Sequence, residues 1–295
     1  MPYLIYSDYI NRRIEAAPLS QITSNNPGLI NLAESEAMQI IKNKLSQKYD
    51  IANSFEETNV YNPATTTYQP PNRVYLDAIA YSSTTYALNA LTLYTDGNVY
   101  VCKTAITVAE AWNASHWTLL GAQYAMFYVI YPYDLFNINN IYNVGDNVFW
   151  NGHTYTALIG TIAYDHDSMI QFENSNDVPL SNIFPDDLLQ GAKYWKDNGA
   201  YTVAAGSLLT TTVWTAGDNR DQQVVGWALD ITIHQMYLRK NVPMLAAREN
   251  QYIVAMADLK DAARGNNITL TLPLIQPDAG KRIRGVTNIK QINSY

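Results

Sequence analysis

The chain has 295 residues, of which 26 are acidic and 19 are basic, so that 15% are charged and the formal net charge is −7. This balance argues against binding of nucleic acid by the whole molecule, because such binding needs clustered lysine and arginine to displace counterions from phosphates. The single cysteine, Cys102, excludes an internal disulfide framework and a multi-cysteine zinc site, while the 23 tyrosines favour assembly with other proteins over catalysis.

Neither a secretory signal nor a membrane span is predicted. The start MPYLIYSDYINRR places its charges after its apolar residues and lacks a sustained apolar core. The longest uncharged stretch, residues 111–133, has the length of a span but contains Asn, Ser, His, Gln and Pro. We expect this stretch to form buried strands.

The N-terminal part of the chain predicts two helices. Ser7 or Asp8 is suited to cap the first helix, which Pro18 is expected to end. Asn31 and Glu34 resemble a capping box that opens the second, longer helix. Its apolar residues recur at helical spacing at Ala33, Ala37, Ile40, Ile41, Leu45 and, at its end, Tyr49. The first part of a helical core is therefore expected here.

Strands are predicted from about residue 60 to 215, where Thr, Tyr and Val occur in short alternating runs. Residues 93–103 and 149–158 form a weak internal repeat of strand, turn and tyrosine. Each repeat closes on a tryptophan, Trp117 or Trp195, and the second carries a longer insertion. The pattern predicts two small, related β units.

The turns of these units are predicted from Asp96-Gly97 and Asn151-Gly152. Both dipeptides favour a type I′ turn, because its two central residues need positive φ angles that Asn, Asp and Gly adopt most easily. Each turn is therefore expected to join two antiparallel strands of one hairpin.

Helical patterning returns after the strand region. Asp218 is suited to cap a helix that runs to Lys240 and is apolar on much of its circumference, which indicates a central position. Pro243 is expected in the first turn of the next helix, where its missing N–H costs nothing. That helix should end at Arg264, followed by Gly265 in the left-handed conformation.

Residues 266–295 predict an extended arm without its own core. The apolar run ITLTLPLI is suited to add a strand to a neighbour's sheet, and basic residues follow it. We predict docking on a protein partner through Leu270, Leu272, Leu274, Lys281, Arg282, Arg284 and Lys290. Contact of the basic residues with packaged DNA is the minor alternative, and a merely solvated tail is a third.

Together these patterns predict an α+β fold. Residues 1–59 and 216–265 form a small α-helical bundle from the two ends of the chain. Residues 60–215 form a large inserted, antiparallel β-rich region, and residues 266–295 form the arm. The two ends of the insert should lie close together, because the host bundle has to remain continuous.

The segment WALDITIHQMYLRKNVPMLAARENQYIVAMADLKDAARGNNITL resembles the head-tail connector adaptor, or head completion, proteins of tailed bacteriophages. The positions that match are Arg239, Pro243, Arg248, Tyr252, Leu259, Gly265 and Leu270. The segment LSQKYDI, residues 45–51, is similar to the end of the second helix in that family. The middle of the chain is not part of the family pattern, so the resemblance covers little more than a third of the sequence.

This resemblance implies a small helical bundle that assembles into a ring of twelve copies below the portal, with a C-terminal extension inserted between portal subunits. The implied partners are the portal protein, neighbouring copies, other tail or ring proteins and the capsid. The implied location is the portal vertex of the virion, after assembly in the host cytoplasm. The β units are distantly similar to small Trp/Tyr modules of phage structural proteins and to chitin-binding modules.

No catalytic, cofactor or metal site is predicted. Asp165-His166-Asp167 is the one dense cluster of metal-ligand types, but neighbouring residues of an extended segment point to opposite sides, so a solvated loop is expected. Cys102 has no base nearby in sequence and is expected to be a buried, unreactive thiol. The sequence also lacks a nucleophile elbow, a phosphate loop and a dinucleotide fingerprint. We therefore expect a protein without enzymatic activity.

A glycan-binding module is the alternative function. Trp112, Trp117, Trp150 and Trp195 would stack on sugar rings if they lined one exposed face, whereas the favoured interpretation places them in small cores. Burial of Trp117 and Trp195 would remove the main support for glycan binding.

Overall fold

A computed structural model describes most of the chain. The described residues are 3–14, 16–24, 26–64, 67–137, 140–160, 184–188, 191–204, 208–265, 268 and 270–274. The α+β fold class is confirmed: helices from both ends of the chain share one core, and the β-rich region lies between them in sequence.

The helices lie mainly at the two ends of the chain. They are α1 (Tyr6–Arg12), α2 (Ala16–Thr23), α3 (Pro27–Leu45), α4 (Ile51–Ser54), α5 (Gly191–Tyr194), α6 (Gln222–Lys240) and α7 (Ala246–Arg264). The strands are β1 (Thr58–Val60), β2 (Thr67–Tyr68), β3 (Arg73–Tyr75), β4 (Leu91–Leu93), β5 (Asn98–Cys102), β6 (Trp117–Ala122), β7 (Met126–Val129), β8 (Asn147–Trp150), β9 (His153–Ala157), β10 (Trp195–Ala200), β11 (Val203–Ala204) and β12 (Trp214–Ala216). The uncharged stretch 111–133 thus contains β6 and β7. The predicted strands are present, but β6 is buried only in part.

Helix α6 is the centre of the helical unit, which we define as α1–α4, α6 and α7. It packs against α1, α2, α3 and α7. Its buried residues occupy most of its circumference, which agrees with the central position predicted from its apolar pattern. The same core includes Tyr3 and Leu4 from the start of the chain and Leu270 from beyond α7. Both chain ends are therefore folded onto this helix.

Three predicted helix boundaries near the N-terminus are wrong. Ser7 and Asp8 lie inside α1, whose cap position is Ile5, and the carboxylate of Asp8 accepts from the N–H of Ile5 at 2.8 Å. Helix α3 begins at Pro27, not at Asn31, and the side chain of Asn26 caps it by accepting a hydrogen bond from the N–H of Gly28 at 2.9 Å. Pro18 lies in the first turn of α2 and does not end a helix. Proline is tolerated in a first turn because its missing N–H would have had no helical partner there.

The helix boundaries near the C-terminus are closer to the prediction. Helix α6 ends at Lys240, as predicted, but its cap is Asp221 and not Asp218. Pro243 lies in the link before α7 and not in its first turn. Gly265 ends α7 with a φ of +77°, which confirms the predicted left-handed stop.

The β-rich region contains four small sheets. Their strand orders are β1-β3-β7-β12, β4-β5-β6, β10-β9-β8 and β11-β2. The pairing is antiparallel throughout these sheets except between β1 and β3, which are parallel, so the prediction of an antiparallel insert is correct apart from this pair. The strands at which the chain enters and leaves the region, β1 and β12, form the two edges of one sheet.

Three copies of one β module are present, each made of a first, a middle and a closing strand. Module A comprises β4, β5 and β6, module B comprises β8, β9 and β10, and the host module comprises β3, β7 and β12. In every copy the closing strand begins with a tryptophan that pairs with the last residue of the middle strand. These pairs are Trp117 with Cys102, Trp195 with Ala157, and Trp214 with Val129. The two predicted units are modules A and B, and the host module is a third copy that the sequence pattern did not reveal.

The modules also share one aromatic arrangement. A tyrosine stacks on an earlier aromatic ring and meets the closing tryptophan edge to face, with centroids 5.0–5.2 Å apart. These trios are Tyr81, Tyr86 and Trp117 in module A, Phe136, Tyr142 and Trp195 in module B, and Tyr61, Tyr68 and Trp214 in the host module. In each trio the middle tyrosine hydroxyl bonds both backbone polar groups of one residue, namely Ser82, Asn137 or Asn62. The same chemistry therefore closes all three copies.

The host module is interrupted twice. Module A lies between its first strand, β3, and its middle strand, β7, and module B lies between β7 and the closing strand β12. Modules A and B are therefore nested in a third copy of their own fold. This nesting attaches both modules to the sheet β1-β3-β7-β12.

The two predicted hairpin turns differ. Asn151 and Gly152 have φ angles of +46° and +85°, which confirms positive φ at both central positions. At Asp96-Gly97 only Gly97 has a positive φ, of +81°, so the predicted type I′ turn is wrong there. The N–H of Tyr94 instead bonds the carbonyl of Asn98 at 2.9 Å, which closes a three-residue loop.

Candidate docking surface

The predicted docking arm is described only in its first part. Lys281, Arg282, Arg284 and Lys290 lie outside the described residues. Leu270 is only 6% exposed in the core of the helical unit, and Leu272 packs against that core. Leu274 is 59% exposed. Residues 270–274 therefore lie on the chain's own helical unit, and docking of the arm on a partner stays a prediction.

Asp221 fastens this segment to the central helix. One carboxylate oxygen caps α6 by accepting from the N–H groups of Gln223 and Val224 at 2.9 and 3.1 Å. The other oxygen accepts from the N–H and the hydroxyl of Thr271, both at 2.8 Å. A single buried side chain thus joins the start of α6 to the chain beyond α7. Because this contact needs the folded backbone, the sequence pattern did not reveal it.

A pocket of about 330 Å³ opens beside the end of the described chain. We call it the junction pocket, because residues of the helical unit, the host module, module B and the C-terminal segment line it. They are Asp50, Glu56, Gln69, Pro70, Pro71, Tyr131, Leu135, Phe136, Phe149, Trp150, Asn151, Gly152, Pro273 and Leu274. Its charged side chains among the described residues are two carboxylates, and most of its other walls are apolar.

The electrostatic character of the junction pocket follows from these carboxylates. Burial raises the pKa of the Tyr131 hydroxyl to about 12, and the nearby negative charge of Glu56 acts in the same direction. Tyr131 therefore stays neutral at physiological pH. Asp50 and Glu56 give the described lining two carboxyl groups, and the positive charge of Arg73, which bonds the carbonyl of Glu56 from outside the lining, partly opposes them at Tyr131.

A buried ion-pair network joins the helical unit to the host module. Arg220 donates to the carboxylates of Asp8 and Asp218 and to the carbonyl of Tyr3, at 2.7–3.0 Å. Its guanidinium also lies 3.3 Å from the sulfur of Met126 in β7. Burial disfavours the charged guanidinium, but the bonds to Asp218 and Asp8 outweigh it and raise the pKa of Arg220. The network thus ties the N-terminal segment to the β sheet.

The N-terminal segment is held from its other side by Glu34. This carboxylate is buried and accepts from the N–H groups of Tyr3 and Leu4 at 2.5 and 2.9 Å. Burial raises the pKa of Glu34 to about 7, against the opposing effect of these bonds. Glu34 was predicted to cap a helix, but it lies inside α3 and binds the start of the chain.

Helix α7 presents an exposed apolar face. Its fully buried residues are Ala255, Leu259 and Ala262, near its C-terminal half. Ile253 and Val254 are 55% and 57% exposed, and Leu245, which precedes the helix, is exposed as well. A groove of about 370 Å³ that includes Val254 runs between this helix, α6 and Arg13. This face is the candidate surface for a neighbouring copy.

The tryptophans named for glycan binding are not arranged as a platform. Trp117 and Trp195 are only 4% and 2% exposed. Trp112 stacks with the rings of both Tyr94 and Trp117, at centroid distances of 4.0 and 5.2 Å. The indole N–H of Trp150 donates to Asp186 at 2.9 Å. The burial of the two closing tryptophans removes the main support for the glycan hypothesis.

The residues considered for chemistry form no reactive constellation within the described part of the chain. Cys102 is fully buried, as expected, and bonds the carbonyl of Thr104 at 3.0 Å. No group of three His, Cys, Asp or Glu side chains in the described ranges is placed to hold a metal ion. Asp165-His166-Asp167 lies outside those ranges. Among the described helices, none has both the length and the apolarity needed to cross a membrane.

Several of the positions that carry the connector resemblance contact other parts of the helical unit. Arg239 pairs with Glu36 of α3, and Tyr252 stacks on His234 with centroids 3.7 Å apart. Leu259 is fully buried between the helices. No protein-family model matches the chain, and no characterised protein is significantly similar to it in sequence.

Proposed function

We propose that the protein is a structural part of a phage head-tail connector, where copies of it form a ring that joins the portal to the tail. Three properties support this proposal. Both chain ends build one helical unit, several of the motif positions pack that unit, and the β modules form an insert between its two parts in the sequence. The protein performs no enzymatic step in this role. Its place is the portal vertex of the virion.

The exposed face of α7 carries the proposal. A monomer gains nothing from exposing Ile253, Val254 and Leu245 together. Each is already partly buried, so covering the rest of its side chain in an interface contributes about 1 to 2 kcal/mol. In a ring every copy presents this face to the next copy, because a head-to-tail contact closes when the rotation per copy divides the circle. The helical units pack side by side, and the β modules project toward the capsid or other tail proteins.

Electron microscopy and native mass spectrometry of the purified protein test the ring. The wild type is expected to form rings, and the double substitution Ile253→Glu with Val254→Glu is expected to give monomers, because it buries charge at the interface. The matched control is Leu88→Glu with Val108→Glu, which changes two exposed apolar residues of module A. Rings that survive the first variant, or that the control also abolishes, would contradict the role of α7.

The C-terminal segment supplies the second part of the proposal, docking on the portal protein. The segment to remove is 275–295, because a deletion from residue 266 also removes Leu270 from the core and Thr271 from Asp221. The truncated protein should fold and assemble with itself but fail to bind purified portal protein. Undiminished portal binding by the truncated chain would contradict docking through this segment. DNA contact is minor in this proposal, because the basic cluster is confined to this segment.

A further inference from the structure

We propose that the junction pocket binds side chains of the basic C-terminal segment, residues 275–295, of the same chain. The proposal concerns the protein before it meets any partner and does not depend on what that partner is. In this state the junction pocket holds the C-terminal arm on its own chain.

The position of the described chain end gives the first argument. Pro273 and Leu274 themselves line the pocket, and the carbonyl of Pro273 accepts a hydrogen bond from the N–H of Asp50 at 2.9 Å. Tyr49 and Leu274 form an isolated antiparallel bridge at the same point. Residue 275 therefore starts at the wall of the pocket and needs no linker to reach it.

Charge complementarity gives the second argument. The segment 275–295 contains Lys281, Arg282, Arg284 and Lys290 and a single acidic residue. The pocket offers the carboxylates of Asp50 and Glu56, with no basic side chain among its described lining residues. Opposite charges within a partly enclosed site attract more strongly than on open surface, because the surrounding protein screens them less than water does.

The apolar walls match the rest of the segment. Pro70, Pro71 and Leu135 line the pocket beside Phe149 and Trp150. The segment begins with an isoleucine and has two more between its basic residues. Leu274 and Leu135 are exposed without a cover in the described structure. A chain that runs over them would bury both, which contributes favourably through removal of apolar area from water.

The same chain is the favoured occupant because of effective concentration. Lys281 is the seventh residue after Leu274, a span of about 24 Å when fully extended, which suffices to reach either carboxylate. A ligand tethered by so short a linker acts at an effective concentration on the order of millimolar. The C-terminal segment of a second copy is present only at the concentration of the protein in solution. At concentrations below millimolar it competes poorly with the tethered segment.

Limited trypsin digestion of the full chain tests the proposal. Trypsin cleaves after Lys281, Arg282, Arg284 and Lys290, and a bound segment is cleaved only when it leaves the pocket. The measured quantity is the cleavage rate in the protein divided by that of a free 275–295 peptide under the same conditions. We expect a ratio well below one that rises with salt, since salt screens the charge pairs.

Substitution of the two pocket carboxylates tests whether the protection from trypsin arises at the junction pocket. Asp50→Asn with Glu56→Gln should raise the cleavage ratio about tenfold or to the level of the free peptide, as expected for the loss of two charge pairs. The control Glu249→Gln with Asp258→Asn removes the same charge from α7 and should leave the ratio unchanged. A wild-type ratio near one, an equal response of both variants, or protection that increases with protein concentration would overturn the proposal, the last because it indicates the tail of a second copy. Portal binding is measured separately, so its failure leaves this result unaffected.

Discussion

The host module and the two inserted modules share one strand register but close their aromatic clusters differently. In modules A and B the fourth residue from the start of the first strand is aromatic, Tyr94 or Trp150, and it packs on a further ring, Trp112 or Phe184. In the host module the same position is Leu76, which is fully buried. The inserted modules therefore complete their clusters with their own side chains, whereas the host module depends on its neighbours.

Module A and the helical unit both contact the host module. Val99 and Leu120 of module A pack into the host cluster, and Arg220 reaches its strand β7 from the helical unit. In module A the paired rings of Tyr81 and Tyr86 stay partly exposed. The difference teaches that one module can serve either as an autonomous unit or as the connection between units, depending on what covers its ring cluster.

The largest expected effect comes from the closing tryptophans. Trp214→Ala and Trp117→Ala each leave a cavity that costs about 3 to 5 kcal/mol. The loss at Trp214 should reach the helical unit, because the host module connects it to both inserted modules, while the loss at Trp117 should stay within module A. Hydrogen exchange of the α6 amides measures this difference. Equal loss of α6 protection in both variants would show that the modules do not differ in their role.

The next effect concerns the link between the host module and the helical unit. Arg220→Met leaves the buried carboxylate of Asp8 without its partner and should lower the free energy of unfolding by about 3 to 5 kcal/mol. The control Arg239→Met breaks the more exposed pair with Glu36 and should cost less than about 1 kcal/mol. Denaturant unfolding monitored by circular dichroism compares the two variants. Similar losses in both would argue against the buried network as the connecting element.

The parts of the fold that were predictable from sequence are those with local signals. Lys240 and Gly265 end their helices as predicted, and Asn151-Gly152 forms the expected turn, because capping and turn preferences act over a few residues. The host module was missed because its pieces are separated by whole inserted modules. Tyr61, Tyr68 and Trp214 carry its signal, but it is recognisable only beside the other two copies.

Long-range contacts explain why the candidate sites could not be predicted from the sequence. Arg220 and Asp8 are 212 residues apart, and nothing in either segment marks the other as its partner. Leu270 was assigned to the docking arm from its apolar run, yet that run begins inside the core of the helical unit. Local patterns report that a segment is apolar and extended, but its partner is decided by the packing of the whole chain.

The pH dependence of stability should distinguish the helical unit, which contains Glu34, from module A. Because burial raises the pKa of Glu34 from 4.5 to about 7, the folded state binds its proton more tightly than the unfolded state. The free energy of unfolding should therefore fall as the pH rises between these values, by up to about 3 kcal/mol from this group. Glu34→Gln should flatten that pH dependence, and the amide exchange of module A should not respond. An unchanged slope in Glu34→Gln would assign the effect to other groups.

The smallest expected effect probes the tyrosine hydroxyls that the modules share. Tyr68→Phe and Tyr86→Phe each remove two hydrogen bonds to one backbone residue. The loss at Tyr68 should cost about 1 kcal/mol, a usual net value for such bonds, because this ring is buried in the host cluster. At Tyr86, which is partly exposed, water replaces the lost partner, and the cost should be only a few tenths of a kcal/mol. Thermal unfolding of both variants measures the difference, and a larger loss at Tyr86 would mean that module A depends on its own hydroxyl bond more than the covered host module does.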